Sequence, residues 1–345
     1  MTFEELLNTY EPRLAAAFRE GVEAIKSAIV LQRVIERLER GDLNGAIEAM
    51  MLEPEAFSAL DLALQEAFNA GGINAVGELP TVRDPEGAKV VFRFGVRNPE
   101  AETILRELSS SMVTHITEDQ RQGVRYALEQ GLQRGANPRQ TALDAVGRVN
   151  RVTGKREGGV IGLTHRQIEY IERARQNLLS GDPDLMKKYL DLTTRDKRFD
   201  RTVLAAIRDG KALKAEDVQR IVSRLNDNNL RLRGEMVART ETMMALGSAR
   251  DNAIRQQINA GKIEARDVVK IWRSAGDSRV RHTHRALNNT SVSIDGVFIS
   301  SSGATLRYPG DPRAPINEIS GCRCHVTYKI DYIGAVERRF RAEAA

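Results

Sequence analysis

Between Trp272 and His325 the chain gathers its only tryptophan, both of its cysteines and three of its five histidines into 54 residues. They fall in three runs: Trp272-Arg273-Ser274-Ala275-Gly276-Asp277-Ser278-Arg279-Val280-Arg281-His282-Thr283-His284, Tyr308-Pro309-Gly310-Asp311-Pro312-Arg313, and Cys322-Arg323-Cys324-His325. Around them, residues 265–331 carry strand patterns at Val268–Trp272 and His325–Ile330, with a hairpin signal at Asp295-Gly296 between Val292 and Phe298. A unit of about 65 residues buries only a marginal core. The clustered side chains therefore point either to a metal or polar staple that closes a small α+β module, or to an active site.

Elsewhere helical periodicity dominates. Apolar residues recur at helical spacing from Leu6 to Ile35, and Gly41-Asp42 ends the run. Further helical patterns cover Leu43–Met51 and Pro54–Ala70, stopping at Gly71-Gly72. Lys89–Val96 reads as a short strand or as an extended arm packed on a neighbour. Asn98-Pro99-Glu100 starts a helix, and Thr117-Glu118-Asp119-Gln120 and Thr164-His165-Arg166-Gln167 fit capping boxes. Ala215–Ala260 is compatible with one long helix. Aromatics make up 5% of the chain, which suits helix packing by Ala, Leu, Ile and Val more than a large sheet.

The expected fold is mainly α, with elongated helical N-terminal and middle regions and a small C-terminal α+β module. Five stretches follow: an acidic helical head at 1–80, a helical region with a short strand or extended arm at 81–190, long helices at 191–264, the module at 265–331 and a tail at 332–345. Charge is divided unevenly among them. Residues 1–80 carry a net −8 and residues 121–240 a net +10. An acidic head and a basic middle imply two different contact surfaces. Apolar runs stay far below the roughly 18 residues of a membrane span, so no membrane partner is expected. The acidic, amphipathic start carries no secretory pattern. A single Cys-x-Cys pair makes no disulfide framework, so the thiols are expected to be reduced in a cytoplasm.

Cys322 and Cys324 lie two apart, and on a strand both sulfurs face one side. With imidazoles from His282, His284 or His325 they fit a tetrahedral zinc site. The alternatives are two small buried thiols beside hydrogen-bonded histidines, or a catalytic thiol whose pKa Arg323 lowers, for which no oriented base is identifiable. Arg279 and Arg281 project together and can fork onto Asp277, Asp311 or Glu318, either as a structural network or around a phosphate. In Ala238-Arg239-Thr240-Glu241-Thr242, charge on an apolar helix face suggests a buried pair with the C-terminal module. Gly154-Lys155-Arg156-Glu157-Gly158-Gly159 lacks the ending of a phosphate-binding loop and reads as a mobile loop whose Lys155 and Arg156 can touch DNA.

Taken together, the chain resembles the phage Mu gpF-like minor head protein family. The residues that carry the likeness are Ala238–Thr242, Trp272 with Asp277-Ser278-Arg279-Val280-Arg281, His284, Tyr308-Pro309-Gly310-Asp311-Pro312 and Cys322-Arg323-Cys324, with Phe94–Pro99, Ile116–Glu118 and Gly158–Leu163 upstream. The resemblance implies a minor capsid protein of a tailed phage or prophage that binds the portal and acts in head assembly, packaging or ejection. It also implies a place in the virion, with assembly in host cytoplasm beside the major capsid or scaffolding protein. Of the metal candidates it supports His284, Cys322 and Cys324; His282 lies outside its pattern. The basic middle would meet double-stranded DNA through phosphates, without sequence readout. The rival expectation is an enzyme, a nucleotidyl- or ADP-ribosyl-type transferase or a nuclease, built on Arg239, Glu241, Asp277 and His284.

Overall fold

A computed structural model describes residues 1–83, 87–95, 97–335 and 338. Helix dominates among them, and the short antiparallel strands concentrate near the C-terminus, so the fold is mainly α with a small α+β module. In chain order the helices are α1 Phe3–Ala28, α2 Leu31–Glu39, α3 Leu43–Glu48, α4 Ser58–Gly77, α5 Pro99–Gln133, α6 Pro138–Val146, α7 His165–Leu179, α8 Pro183–Leu190, α9 Asp200–Arg208, α10 Ala215–Asn259, α11 His282–Leu287 and α12 Ile316–Ile319. The strands are β1 Arg148–Val149, β2 Arg156–Glu157, β3 Val268–Arg273, β4 Ser291–Ser293, β5 Phe298–Ile299, β6 Thr305–Leu306 and β7 His325–Ile330.

Contacts divide the chain into two units, neither of them contiguous. The first combines Met1–Ala15, Asp61–Ser111 and the chain from Glu235 on; the second combines Ala16–Leu60 with Met112–Gly234. In the first, β3 lies between β4 and β7 in an antiparallel sheet, and β5 pairs with β6 separately. Burial alternates along β3, so Val268, Lys270 and Trp272 face inward. Ile254 of α10 packs with Ile263, Val268 and Ile294 in a small core that Phe92, Tyr328 and Ile330 extend. Lys270 is an unexpected inward residue: its ammonium donates to the Arg307 carbonyl at 2.9 Å, and burial lowers its pKa.

In the second unit α2 packs on α3 and α6, and α8 on α7 and α9. Side-chain caps start several of its helices. Asn137 Oδ1 accepts from Gln140 N at 2.8 Å, Asp182 Oδ1 from Asp184 N at 2.8 Å, and Thr164 with Gln167 forms the expected capping box. The Gly-rich loop is hydrogen-bonded to its surroundings from Lys155 to Gly158. Lys26 donates to the Gly158 carbonyl at 2.8 Å, and Gly158 N donates to Asp227 at 2.8 Å. Lys155 bridges Glu23 at 2.6 Å, while Arg156 donates to the carbonyls of Gly147 and Ile29. Arg156 is thus a structural residue, and Lys155 already has an acidic partner.

Three local expectations are corrected, and a fourth that left two alternatives open resolves to one of them. Thr117 does not open a helix; it lies inside α5 and returns its hydroxyl to the Val113 carbonyl at 2.8 Å. Gly71 and Gly72 do not stop α4. They are small so that neighbours can approach: a Cβ on Gly71 would sit 3.0 Å from Leu246, and one on Gly72 would overlap the Phe94 ring. The chain from Lys89 to Gly95 forms no strand beyond an Arg83–Lys89 bridge. It is the extended arm instead, held by Gln257 on Arg93 and Gln256 on Gly95, with Phe94 beside Phe68; Val96 lies outside the described residues. The Asp295-Gly296 turn forms, with Gly296 N donating to Ser293 O, yet its flanks pair with β3 and β6 and not with each other. Of the tail, residues 336–337 and 339–345 lie outside the described residues.

Candidate metal centre and its polar clamps

Cys322 and Cys324 sit just before β7, in the turn that follows α12, so loop geometry and not strand alternation brings the sulfurs together. His284 reaches them from α11. Its Nδ1 lies 3.5 Å from Cys322 Sγ and 3.6 Å from Cys324 Sγ, and all three residues are buried. Zinc bonds of about 2.3 Å to sulfur and 2.0–2.1 Å to nitrogen, at tetrahedral angles, put such atoms about 3.5–3.6 Å apart. The two nitrogen-to-sulfur distances therefore match those around a thiophilic metal. Cys324 N also points at Cys322 Sγ at 3.4 Å, the kind of amide contact that stabilises a thiolate. Hydrogen bonding between the two sulfurs favours Cys324 as thiolate and holds Cys322 as thiol, and His284 adds to the effect on Cys324. Among the described residues no other histidine, cysteine or carboxylate joins the group. His282 is exposed outside it, and His325 stacks on Phe3 at 5.0 Å. Burial, then the nearby Arg250 charge, pushes the His325 pKa down to about 4.

The other nitrogen of His284 faces a carboxylate. Nε2 lies 3.0 Å from Glu318 Oε2, a close but imperfectly aligned contact. Glu318 accepts in addition from Ser302 Oγ at 2.6 Å, Thr283 Oγ1 at 3.0 Å and Ser300 Oγ at 3.3 Å. Burial raises its pKa, but the hydrogen bonds it accepts, first from Ser302 and then from Thr283, outweigh that and leave it below the usual value. Trp272, fully buried, closes the other side: its ring meets His284 edge-on at 5.0 Å and Phe298 at 5.1 Å.

The arginines divide differently from the expectation. Asp277 is forked by Arg323, at 2.6 and 2.7 Å, which holds its carboxyl well below the usual carboxylate range. Arg279 donates its backbone N–H to Asp277 at 3.0 Å, but its guanidinium comes only to 3.5 Å and stays largely exposed. Arg281 turns inward to the carbonyls of Glu318 and Ser320. Asp311 takes Arg307 at 2.6 Å together with the Arg307 and Arg313 amides. Tyr308 is buried, with its hydroxyl 3.1 Å from Ser248 Oγ. Arg239 pairs with Glu11 of α1, at 2.5 and 3.1 Å, and not with the module. The link from this motif to the module is Thr240, whose hydroxyl accepts from Gly321 N at 3.1 Å. Burial raises the Glu241 pKa to about 8, and its Oε2 is shut off from solvent without a hydrogen-bond partner.

His284, Cys322 and Cys324, expected together from the sequence, do lie together, whereas the pairings of Arg323, Arg307, Thr283, Ser300 and Ser302 were not foreseen. Only the four-residue spacing of Arg307 and Asp311 signalled a pair. The residues of the enzyme reading do not converge through shared contacts: Arg239 is held by Glu11, Asp277 by Arg323, and His284 by sulfur and Glu318. No helix among the described residues is long and apolar enough to cross a membrane. Residues 197–327, somewhat over a third of the chain, match a family model described as Phage Mu protein F like protein. No curated protein and no solved structure matches the chain.

Proposed function

We propose that this chain is a phage head morphogenesis protein, a reading supported by the match of residues 197–327 to the Phage Mu protein F like family model, and that it docks on the portal of a tailed phage and touches packaged DNA without reading its sequence. The observation that carries the reading is the matched segment itself, with polar side chains engaged mainly with one another. It belongs in the virion, after assembly in host cytoplasm with the major capsid or scaffolding protein at hand. Cys322, Cys324 and His284 hold zinc, whose role there is to staple the module closed.

Two charge features support the partners. Residues 1–15 and 61–80, all in the first unit, carry six carboxylates. Glu4, Glu5 and Asp61 have no ion pair among the described residues, while Glu11, Glu66 and Glu78 pair with Arg239, Arg13 and Arg250, an acidic excess that suits a basic protein surface. In the second unit Lys188, Lys197, Arg201, Lys211 and Lys214 are exposed on and around α8 and α9, with no ion pair among the described residues. These join the exposed Lys155 as DNA-contacting candidates, while Arg156 is turned to backbone carbonyls. Aromatic stacking platforms are absent from this set, which fits phosphate contact and not single-strand readout.

The test is co-expression with the portal protein of the same phage, followed by purification through the portal. Retention of this chain is expected. A portal that assembles normally and never retains it would overturn the docking reading. For DNA, neutralising Lys197, Arg201 and Lys211 together should weaken duplex binding equally for unrelated sequences and lower its salt slope by roughly 2–3. An unchanged slope argues against this surface.

A further inference from the structure

We propose that Glu318 positions His284 for a thiophilic divalent cation, and that through Glu318 the cation also secures the β5–β6 hairpin. The inference rests on the reading of Cys322, Cys324 and His284 as ligands.

A neutral imidazole carries one ring proton and one lone pair. Glu318 Oε2 lies 3.0 Å from Nε2, off the line of a hydrogen bond, and its negative charge favours the ring proton on that nitrogen. That leaves the lone pair on Nδ1, the nitrogen 3.5 and 3.6 Å from the two sulfurs. Metal-bound histidines are commonly oriented in this way by an outer carboxylate. Glu318 is itself immobilised. Its side chain is 3% exposed; Oε1 takes the hydroxyls of Ser302 and Ser300, and Oε2 that of Thr283. Arg281 fixes its carbonyl.

Ser300 and Ser302 lie in the turn between β5 and β6, while Thr283 and His284 lie on α11. One carboxylate thus joins the outer nitrogen of a ligand to the hairpin turn. A buried carboxylate that served only the turn would need no imidazole beside it. One that served only the histidine would need no two serines.

The experiment uses full-length wild type, Glu318→Gln and Glu318→Ala, stripped of metal under reducing conditions and titrated with Co²⁺, whose visible absorption reports tetrahedral thiolate coordination. Zn²⁺ affinity is then read by competition with a chromophoric chelator. Absence of a thiolate–Co²⁺ signal in wild type would sink the ligand reading itself. Given wild-type binding, Glu318→Ala is expected to weaken Zn²⁺ by about 10–100-fold. Glu318→Gln, which keeps an acceptor for Nε2–H, should fall between, and both variants should retain the sulfur-to-metal absorption. If either variant binds as tightly as wild type, the positioning role is overturned; should the alanine variant not fold, the glutamine variant decides alone. Hydrogen exchange tests the hairpin. Zn²⁺ should slow exchange at residues 298–306 in wild type and much less in Glu318→Gln, and equal exchange in metal-free and loaded wild type overturns the tether.

Discussion

Glu241→Gln should stabilise this protein at alkaline pH and do little at mildly acidic pH. The Glu241 carboxyl is buried without a partner at Oε2, and its pKa is raised from 4.5 to about 8 by burial alone. The folded state therefore holds a proton that the unfolded chain has already released across that window. Where the folded state binds more protons, stability falls as pH rises. Each tenfold difference in proton affinity between the two states is worth about 1.4 kcal/mol. The penalty is thus absent below about pH 4.5, grows to about 4 kcal/mol by pH 7.5 and levels off above about pH 8. Glutamine never ionises, but its amide is also short of partners, at a cost of about 1–3 kcal/mol. The net gain at pH 8 is then about 1–3 kcal/mol, shrinking to zero or reversing at about pH 5. Trp272, the only tryptophan, is buried in the same unit, so its fluorescence during urea unfolding follows the relevant region. The wild-type and variant stability curves should diverge between about pH 5 and pH 8. Parallel curves would show that Glu241 is ionised in the fold and refute the reasoning.

His325 should act oppositely over a lower range. Its folded pKa of about 4 lies below the ordinary histidine value of 6.5, so stability rises with pH between those values, and His325→Phe, which keeps the stack on Phe3, should flatten that slope in urea titrations. Trp272→Ala removes a fully buried ring packed on His284 and Phe298 and should cost about 3–5 kcal/mol, measured by circular dichroism because the fluorophore is lost. Asp277→Asn should lower the melting temperature at neutral pH. Because Arg323 depresses the Asp277 pKa, the stabilisation is fully present above the ordinary carboxylate range and is lost below it, so variant and wild type should converge in acid. Gly310→Ala should cost about 1–3 kcal/mol in denaturant titrations, since φ is +78° and a Cβ would come within 2.9 Å of the Met243 carbonyl.

Helix class, several helix starts and the β3 and β7 strands were legible because they depend on local periodicity and capping chemistry. Asn98, Asn137 and Thr164 announce their helices, and each cap is made within three residues. Thr117 misled for the same reason: a capping pattern inside a helix is indistinguishable from one at its start until the preceding turn is known to be helical. Gly71 and Gly72 misled because a glycine that breaks a helix and one that admits a neighbour look alike in one dimension.

The sequence by itself determined which residue types were gathered for a staple: two thiols, imidazoles, carboxylates and arginines in one short stretch. Only tertiary structure decided their partners. Arg323 and not Arg279 forks Asp277, Glu318 serves a histidine and not an arginine, and Arg239 reaches Glu11, 228 positions away in sequence. The reason is physical. A charged group pairs with whichever opposite group folding leaves beside it, and that proximity is set by tertiary packing, not by spacing along the chain.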